Sequence, residues 1–283
     1  MTIDIGRREF ITLLGGAAAG ASIFWPLAAH AQQSDRVRAL LIRIHREQAE
    51  ATAAKIGQFI REIESQMNWT TQLPWSPDMI NQRRFDGLRL LRQVPAITEL
   101  AQLDFAGIEQ LKVSRLAMDT VASKGDFSKD PKFIEAMAKK VYYGPVYFPR
   151  PIGPYKPGDP YMTLSIASTR RNSGVSVARV NLKLIQDVVT NTKVGERGVA
   201  YVVDAENRVI AHPDTSLVQR DVSSLAQVQA ARAAGSGAVA EPFLFARDIH
   251  GREAFTTYAG FAPLGWLVFV ELPTDDADAP KRR

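Results

Sequence analysis

Residues 195–214 read GERGVAYVVDAENRVIAHPD, and their pattern indicates the architecture of the whole chain. Two short runs within it, Val199–Asp204 and Arg208–His212, are rich in valine and isoleucine and flank a polar turn. β-Branched residues on both sides of a short polar turn are typical of antiparallel strands that are neighbours in a sheet. The stretch therefore predicts a β-hairpin.

An earlier hairpin of the same design begins a first copy of the unit. Ala96–Asp104 and Ile108–Ser114 flank a turn that contains Gly107, and an aspartate ends the first strand of both hairpins, Asp104 here and Asp204 later. Each hairpin is followed by a helical segment and three more strand candidates, so the pattern predicts two five-stranded antiparallel α+β units. The further strands are predicted at Val141–Phe148, Tyr161–Ser168 and Val175–Asn181 in the first unit, and at Val239–Leu244, Glu253–Ala259 and Trp266–Glu271 in the second.

One long helix is predicted ahead of both units, from Asp35 to Met67. Its apolar side chains recur at three- and four-residue spacings and so line one face, along which the two units can pack. A second helix is predicted from Ser76-Pro77, a serine cap followed by a proline in the first turn, to Pro95. Its predicted buried face consists of Ile80, Phe85, Leu88, Leu91 and Val94. Shorter helices are predicted at Pro131–Lys140, Leu182–Asn191 and Ser223–Ala234.

Composition limits the chemistry that the chain can perform. Its 283 residues include no cysteine and four histidines, with a formal net charge of +5. The lack of cysteine excludes disulfides, thiolate metal sites and cysteine nucleophiles. The histidines lack metal-ligand spacing, and no basic block is interleaved with aromatic residues as in a nucleic-acid surface. We therefore expect no metal, no cofactor, no catalytic residue and no nucleic-acid partner, and we interpret His212-Pro213-Asp214 as a structural strand end.

The N-terminal residues predict export. Arg7 and Arg8 precede the apolar run Phe10–Leu27, and Ala29-His30-Ala31 supplies small residues at a cleavage position. This order is typical of a secretory signal, and Arg7-Arg8-x-Phe10 resembles a twin-arginine signal. The alternatives are a general secretory signal and an uncleaved membrane anchor. Because glycines and Pro26 interrupt the apolar run, we expect residues 1–31 to be removed and the mature chain to be periplasmic.

The motifs of residues 195–214 resemble those of the double Cache family of extracytoplasmic sensor domains. Pro160-Tyr161-Met162-Thr163 and Pro263-Leu264-Gly265-Trp266 also carry the resemblance, which covers about Asp35 to Pro273. It implies an α+β fold in which a long N-terminal helix is followed by two PAS-like antiparallel-sheet units. The implied parts are a scaffold helix (35–68), a membrane-distal unit that usually binds the ligand (69–182) and a membrane-proximal unit that transmits (183–273). The charged tail 274–283 is predicted to be disordered.

Domains of this family usually lie between two membrane helices in chemoreceptors, histidine kinases or cyclases. This sequence shows neither a second membrane span nor an output module after Glu271. We therefore expect a free-standing periplasmic sensor of a small molecule, or one that works through a separate membrane-bound kinase, cyclase or chemoreceptor, with a homodimer through the long helix. Two alternatives are the solute-binding component of a transporter, which would have parallel βαβ lobes, and an exported enzyme with an unrecognised site.

The resemblance also implies where the ligand should bind. Many distal units recognise amino acids, with an arginine and aromatic residues for the carboxylate and an aspartate for the amine. Here Asp130 stands at the arginine position, Phe133 keeps an aromatic, Tyr161 matches a ligand-facing tyrosine, and Arg179 replaces the aspartate. Arg179 would repel an amine and Asp130 would repel a carboxylate. We therefore expect a small polar or anionic metabolite rather than a standard amino acid, unless Arg179 and Asp130 pair with each other or face solvent.

Tyrosines supply the other candidates for the ligand site. Tyr143, Tyr147 and Tyr161 fall with Tyr142 on two neighbouring predicted strands. A tyrosine offers both a ring face and a hydroxyl, which suits a small-ligand pocket, although half-buried strand tyrosines are common without any ligand. Arg115, at the end of the strand Ile108–Ser114, is a further candidate.

Overall fold

The computed structural model describes residues 24–72, 79–149, 158–170, 174–235 and 244–274, with side chains from residue 39 onward. The signal motif before Phe24, the cap Ser76-Pro77 and most of the tail 274–283 lie outside these residues. The chain divides into two compact units, Met1–Ile44 and His45–Arg283. Both sheets lie in the second of these.

Five α-helices are found among the described residues. They are α1 (Phe24–Thr71), α2 (Ile80–Gln93), α3 (Pro131–Lys139), α4 (Lys183–Asn191) and α5 (Ala226–Ala234). The predicted long helix is confirmed but is longer at both ends. Pro26 lies in its first turn, where a missing N–H costs no helical hydrogen bond, and the hydroxyls of Thr70 and Thr71 each donate to the Met67 carbonyl at 2.8 Å in the last turn. No helix in the described part of the chain has both the length and the apolarity to cross a bilayer.

The N-terminal sheet has six strands in the order β3-β2-β1-β6-β5-β4, and the C-terminal sheet has five in the order β8-β7-β11-β10-β9. Every paired neighbour is antiparallel. Apart from the short edge strand β3, both sheets follow one order, which confirms the predicted repeat. The strands of the N-terminal sheet are β1 (Ile97–Leu103), β2 (Glu109–Ser114), β3 (Thr120–Val121), β4 (Val141–Tyr143), β5 (Tyr161–Ala167) and β6 (Val175–Asn181). Those of the C-terminal sheet are β7 (Val199–Val203), β8 (Val209–Ala211), β9 (Leu244–Arg247), β10 (Glu253–Phe261) and β11 (Trp266–Pro273).

An aspartate that accepts hydrogen bonds from backbone amides stabilises the turn of the first hairpin in both sheets. Asp104 Oδ1 accepts hydrogen bonds from the amides of Ala106 and Ile108 at 2.9 and 3.0 Å. Asp204 Oδ1 accepts them from the amides two and four residues later at 3.0 and 2.8 Å. A short acidic side chain that bonds to the backbone ahead of it stabilises a tight turn. The repeated aspartates in the sequence thus mark equivalent positions in the two sheets.

Two of the predicted strands differ most from the observed ones. The predicted strand Val141–Phe148 ends at Tyr143 because Gly144-Pro145 interrupts it, and a proline cannot donate to the ladder. Tyr147 rejoins the sheet through an isolated bridge to Tyr161. The predicted strand Val239–Leu244 falls mostly outside the described residues, and β9 instead runs from Leu244 to Arg247.

Helix α1 packs against one face of each sheet. Ile56, Ile60 and Ile63 of α1 belong to a cluster that contains inner-face residues of both sheets, such as Leu164 and Val268. The opposite faces carry separate clusters, one with Phe133 and Ala136 of α3 and one with Val228 and Ala231 of α5. Each sheet is therefore covered by α1 on one face and by a short helix on the other.

The predicted buried face of α2 was wrong in one respect. Phe85 is 55% exposed, whereas Leu90 and Leu91 are each 2% exposed, and the polar Arg83 and Asp86 are buried beside them. Arg83 donates to Gln102 Oε1 of β1 at 2.9 Å. A buried polar contact with the sheet thus turns the helix so that Phe85 faces outward.

Candidate ligand-binding site

A cavity of about 260 Å³ lies on the outer face of the N-terminal sheet, beneath the loop that leads into α3. Ala101 and Val177 form part of its floor, and Phe127 lies at the loop side. Five charged side chains line it: Glu99, Glu109, Lys112, Lys132 and Arg179. A small concave site with several convergent charged groups is typical of a binding site for a compact polar ligand.

Cross-strand pairing brings these side chains to one face. Arg179 of β6 pairs with Glu99 of β1 on one side and with Thr163 of β5 on the other. In the next row of the same face, Ala101 pairs with Val177 and with Lys112. Directly paired residues in a sheet point to the same face, so the charged row and the small apolar row lie side by side.

Two of the cations are matched by carboxylates. An Arg179 guanidinium nitrogen lies 3.5 Å from Glu99 Oε2, and both side chains are partly exposed. Lys132 Nζ lies 3.3 Å from Asp130 Oδ2 and 3.8 Å from the centre of the Phe127 ring, over its face. These contacts hold both cations at the edge of the cavity.

Lys112 differs from the other two cations. Within the described parts of the chain, no hydrogen bond or ion pair is found for its ammonium group, which is half-buried at the cavity. Glu109 is also in the lining, but its Oε1 accepts a hydrogen bond of 2.5 Å from Ser123 Oγ. The lining holds three cations and two carboxylates, and among the described residues Lys112 is the cation of the lining for which no ion pair is found.

The candidate residues predicted from sequence divide between this site and other places. Arg179 lines the cavity, whereas Asp130 is the N-cap of α3 and accepts from the Lys132 amide at 3.0 Å. Among the described residues, Arg179 pairs with Glu99 and Asp130 pairs with Lys132. Phe133 is buried in the apolar cluster between α3 and the sheet.

Among the predicted tyrosines, Tyr161 is on the cavity face and Tyr143 is not. Tyr161 is buried and its hydroxyl accepts from Asn181 Nδ2 at 2.9 Å, while its ring lies 6.2 Å from that of Tyr147. Tyr143 pairs with Leu164 on the opposite face, and its hydroxyl donates to Glu64 of α1. Burial, followed by the contact with Glu64, raises the pKa of the Tyr143 phenol.

Arg115 lies outside the cavity lining. It is exposed at the end of β2, and its Nε donates to the Ile97 carbonyl at 3.1 Å. This contact holds the chain after β2 against the start of β1. The geometry gives Arg115 a structural partner and no position at the cavity.

Sequence reasoning did not find Lys112, Glu99 or Glu109. The pairing register between β1 and β2 shifts at Gln102/Leu103. Glu109 and Lys112 are three positions apart and would face opposite ways in a regular strand, yet the bulge brings both to the cavity. Glu99 was predictable, because residues two apart in a strand face the same way and Glu99 lies two positions before Ala101 in the predicted strand Ala96–Asp104.

The C-terminal sheet shows why the cavity forms where it does. Tyr201 occupies the position equivalent to Ala101, and its pairing partner Phe269 is equivalent to Val177. The Tyr201 and Phe269 rings are stacked with centroids 5.2 Å apart and are fully buried. Two large rings thus fill the level at which an alanine and a valine leave space in the N-terminal sheet.

A larger groove lies elsewhere and has different chemistry. It measures about 700 Å³ and runs between α1, the chain before β1 and the start of α4. Its lining includes one cation, Lys183, together with Glu62 and Asp187. Its carboxylates outnumber its cations, so it offers no surplus positive charge.

A family model for the Cache domain matches residues 29–280. The chain belongs to the Cache family. Its fold is that of the double Cache sensor, and it is a small-molecule-binding input module of the kind found in extracytoplasmic receptors. Cache sensor domains of chemoreceptors bind ligands and are not enzymes. No curated protein sequence matches the chain.

Solved structures of chemoreceptor ligand-binding domains share this Cache fold. The domain of Campylobacter jejuni Tlp3 in complex with L-norvaline has a TM-score of 0.59 and 14% identity, covering 90% of this chain and 95% of that one. The Pseudomonas aeruginosa PctC domain with GABA gives 0.57 and 15%, covering 80% and 96%. The Pseudomonas fluorescens CtaA domain with L-isoleucine gives 0.57 and 17%, covering 87% and 97%. At these identities the likeness establishes the fold and leaves the ligand to the residues of the cavity.

Proposed function

We propose that this Cache domain senses a small anionic metabolite, a short carboxylate, bound in the cavity of the N-terminal sheet. The observation that carries the proposal is the Lys112 ammonium, half-buried at the cavity with no hydrogen bond or ion pair to the described residues. A bound carboxylate would supply a counter-charge. Arg179 lies in the same lining and would supply a second donor group.

The amino-acid complexes of the relatives do not transfer directly to this chain. An α-amino group needs an acceptor; of the two carboxylates in the lining, Glu99 lies 3.5 Å from an Arg179 guanidinium nitrogen, and Glu109 Oε1 accepts from the Ser123 hydroxyl. The Lys112 ammonium forms no ion pair with the described residues and would repel an amine. The cavity volume of about 260 Å³ also limits the ligand to a compact molecule.

Calorimetric titration with matched ligand pairs tests this proposal. Each pair differs by one amino group: butyrate and γ-aminobutyrate, propionate and alanine, succinate and aspartate. We expect a member without the amine to bind and its partner to bind more weakly. Tighter binding of the amino acids throughout would overturn the choice of ligand class.

The matched variants are Lys112→Met and Arg115→Met. The first removes the unpaired charge from the cavity, and the second removes an exposed cation outside it. Losing a charge-assisted hydrogen bond should weaken binding by about tenfold or more, whereas Arg115→Met should leave affinity unchanged. Equal affinity of the wild type and Lys112→Met would contradict the proposed contact.

We propose further that residues 1–31 direct twin-arginine export and that the sensor works in the periplasm. The sequence Arg7-Arg8-x-Phe10 supports this assignment. Replacing Arg7 and Arg8 with lysine keeps the charge, so a general secretory signal would still work. We expect that variant to remain in the cytosol on cell fractionation, and its appearance in the periplasm would rule out the twin-arginine route.

We also propose a homodimer through the exposed apolar residues of α1 and signalling through a separate membrane-bound kinase, cyclase or chemoreceptor. Leu40 is 57% exposed and Ile44 41% exposed. Light scattering of a Leu40→Glu/Ile44→Glu variant should give the monomer mass if these residues form the interface, and an unchanged dimer mass would exclude them.

The transporter alternative is less favoured, because all strand pairs in the described sheets are antiparallel.

A further inference from the structure

A carboxyl group is buried at the centre of the C-terminal unit, between the sheet and α5. Glu271 of β11 is 1% exposed, and its Oε1 accepts three hydrogen bonds. The donors are the Tyr201 hydroxyl at 2.7 Å, Gln227 Nε2 at 2.9 Å and the Thr256 hydroxyl at 3.4 Å. These donors come from β7, α5 and β10, so the carboxyl joins the covering helix to three strands of the sheet.

Two buried side-chain oxygen atoms, one from Glu271 and one from Gln227, are left without a hydrogen-bond partner. Glu271 Oε2 and Gln227 Oε1 are both buried, and neither has a donor among the described residues. If Glu271 were ionised, both atoms would be acceptors only, and leaving them unmet would be costly. One proton on Oε2 supplies a donor. An acid and an amide are complementary, since the amide N–H donates to one carboxyl oxygen and the acid O–H to the amide oxygen.

The charges around Glu271 favour the neutral form. The side chain of Asp248, after β9, is buried nearby and adds negative charge, and its own cationic partner is Arg252, at 2.8 Å. Arg247 takes part through its backbone carbonyl, which accepts from Gln227 Nε2 at 3.0 Å. No ion pair to the Glu271 carboxyl is found in the described chain.

Two histidines, His212 and His250, lie on this side of the unit. His212 Nδ1 lies 2.9 Å from the Asp214 amide nitrogen, and burial lowers the pKa of this imidazole. The His250 ring lies 6.3 Å from that of His212. Burial, opposed in part by the hydrogen bonds from Tyr201 and Gln227, raises the pKa of Glu271 to about 7.

We propose that Glu271 is held as a neutral acid paired with Gln227, and that its ionisation as pH rises loosens α5 from the sheet, which makes the C-terminal unit sensitive to protons. The ionised form would lack the Oε2–H donor that meets the Gln227 amide oxygen. The stabilising contribution of the acid is complete below the pKa of an unfolded glutamate, about 4.3. It falls as pH rises through the pKa of the folded protein.

The test uses the full chain, the variant Glu271→Gln and the control Glu253→Gln, an exposed glutamate of the same sheet. The amide of Glu271→Gln is neutral at every pH and can donate to Gln227. Between about pH 5 and about pH 8 we expect the melting temperature of the wild type and of the control to fall by several degrees relative to Glu271→Gln. Parallel melting curves for all three proteins would overturn the proposal.

A second measurement needs no variant that might fold poorly. Infrared spectroscopy distinguishes a protonated carboxylic acid by a carbonyl band that ionised carboxylates lack. We expect this band in the folded wild type near pH 6 and its loss above about pH 8, where an acid with a pKa near 7 is ionised. An absent band near pH 6 would show that Glu271 is ionised and that the proposal is wrong.

Discussion

At the scale of single residues, the difference between the two sheets comes from side-chain volume at matched positions. Ala101 and Val177 are paired in the N-terminal sheet, and Tyr201 and Phe269 are paired at the equivalent place in the C-terminal sheet. The small pair leaves a cavity in the N-terminal sheet. The large pair stacks and occupies the equivalent space in the C-terminal sheet. The same row carries Lys112 in the N-terminal sheet, so a charge and a vacant volume coincide there.

The substitution Ala101→Tyr copies the C-terminal sheet into the cavity. A phenol ring would occupy much of the volume of about 260 Å³, and the cavity can receive it with little displacement of its walls. We expect the variant to fold with near wild-type stability and to lose the carboxylate binding of the wild type. Titration calorimetry and thermal melting measure the two effects separately. If a folded Ala101→Tyr variant bound as tightly as the wild type, the ligand would lie elsewhere.

The site was only partly predictable from the residues. Arg179 could be found because its strand is regular and the resemblance marks its position. Lys112 could not, because the face that it shares with Glu109 depends on a bulge within β2, where the pairing register with β1 shifts. Tyr143 and Tyr142 are adjacent in β4 and face opposite ways, so only one of the two can share the face of Tyr161.

At the scale of secondary-structure elements, regular periodicity predicted most elements and backbone breaks decided their ends. The long helix and the hairpins with Asp104 and Asp204 follow directly from spacing and turn chemistry. The strand before Gly144-Pro145 is shorter than its apolar run. The rotation of α2 depends on the buried pair of Arg83 and Gln102, which lie on different elements and cannot be matched by periodicity within one helix.

Helix α2 provides a matched pair of substitutions that tests its orientation. Leu91→Ala removes a buried side chain and leaves a cavity, so it should lower the free energy of unfolding by about 2–5 kcal/mol. Phe85→Ala removes a larger but exposed side chain and should lower it by less than about 1 kcal/mol. Denaturant titrations measure both. The opposite ranking would show that Phe85, not Leu91, faces the core.

At the scale of the whole molecule, the same strand order occurs in both sheets, but the two sheets differ in what they enclose. The N-terminal copy keeps a charged cavity, and the C-terminal copy encloses a buried acid–amide pair. Both copies pack inner-face residues against α1. The repeat was predictable because the sequence contains two hairpins whose first strands both end in an aspartate, Asp104 and Asp204. The cavity was not, because it depends on which residues the folded sheets bring into register.

The most direct measurement is a crystal structure of the protein with the tightest-binding carboxylate from the calorimetric series. We expect the ligand beneath the loop before α3, with its carboxylate about 3 Å from Lys112 Nζ and from the Arg179 guanidinium. A ligand in the groove beside α1, or a ligand amine held by Glu99 and Glu109 with Lys112 untouched, would contradict it.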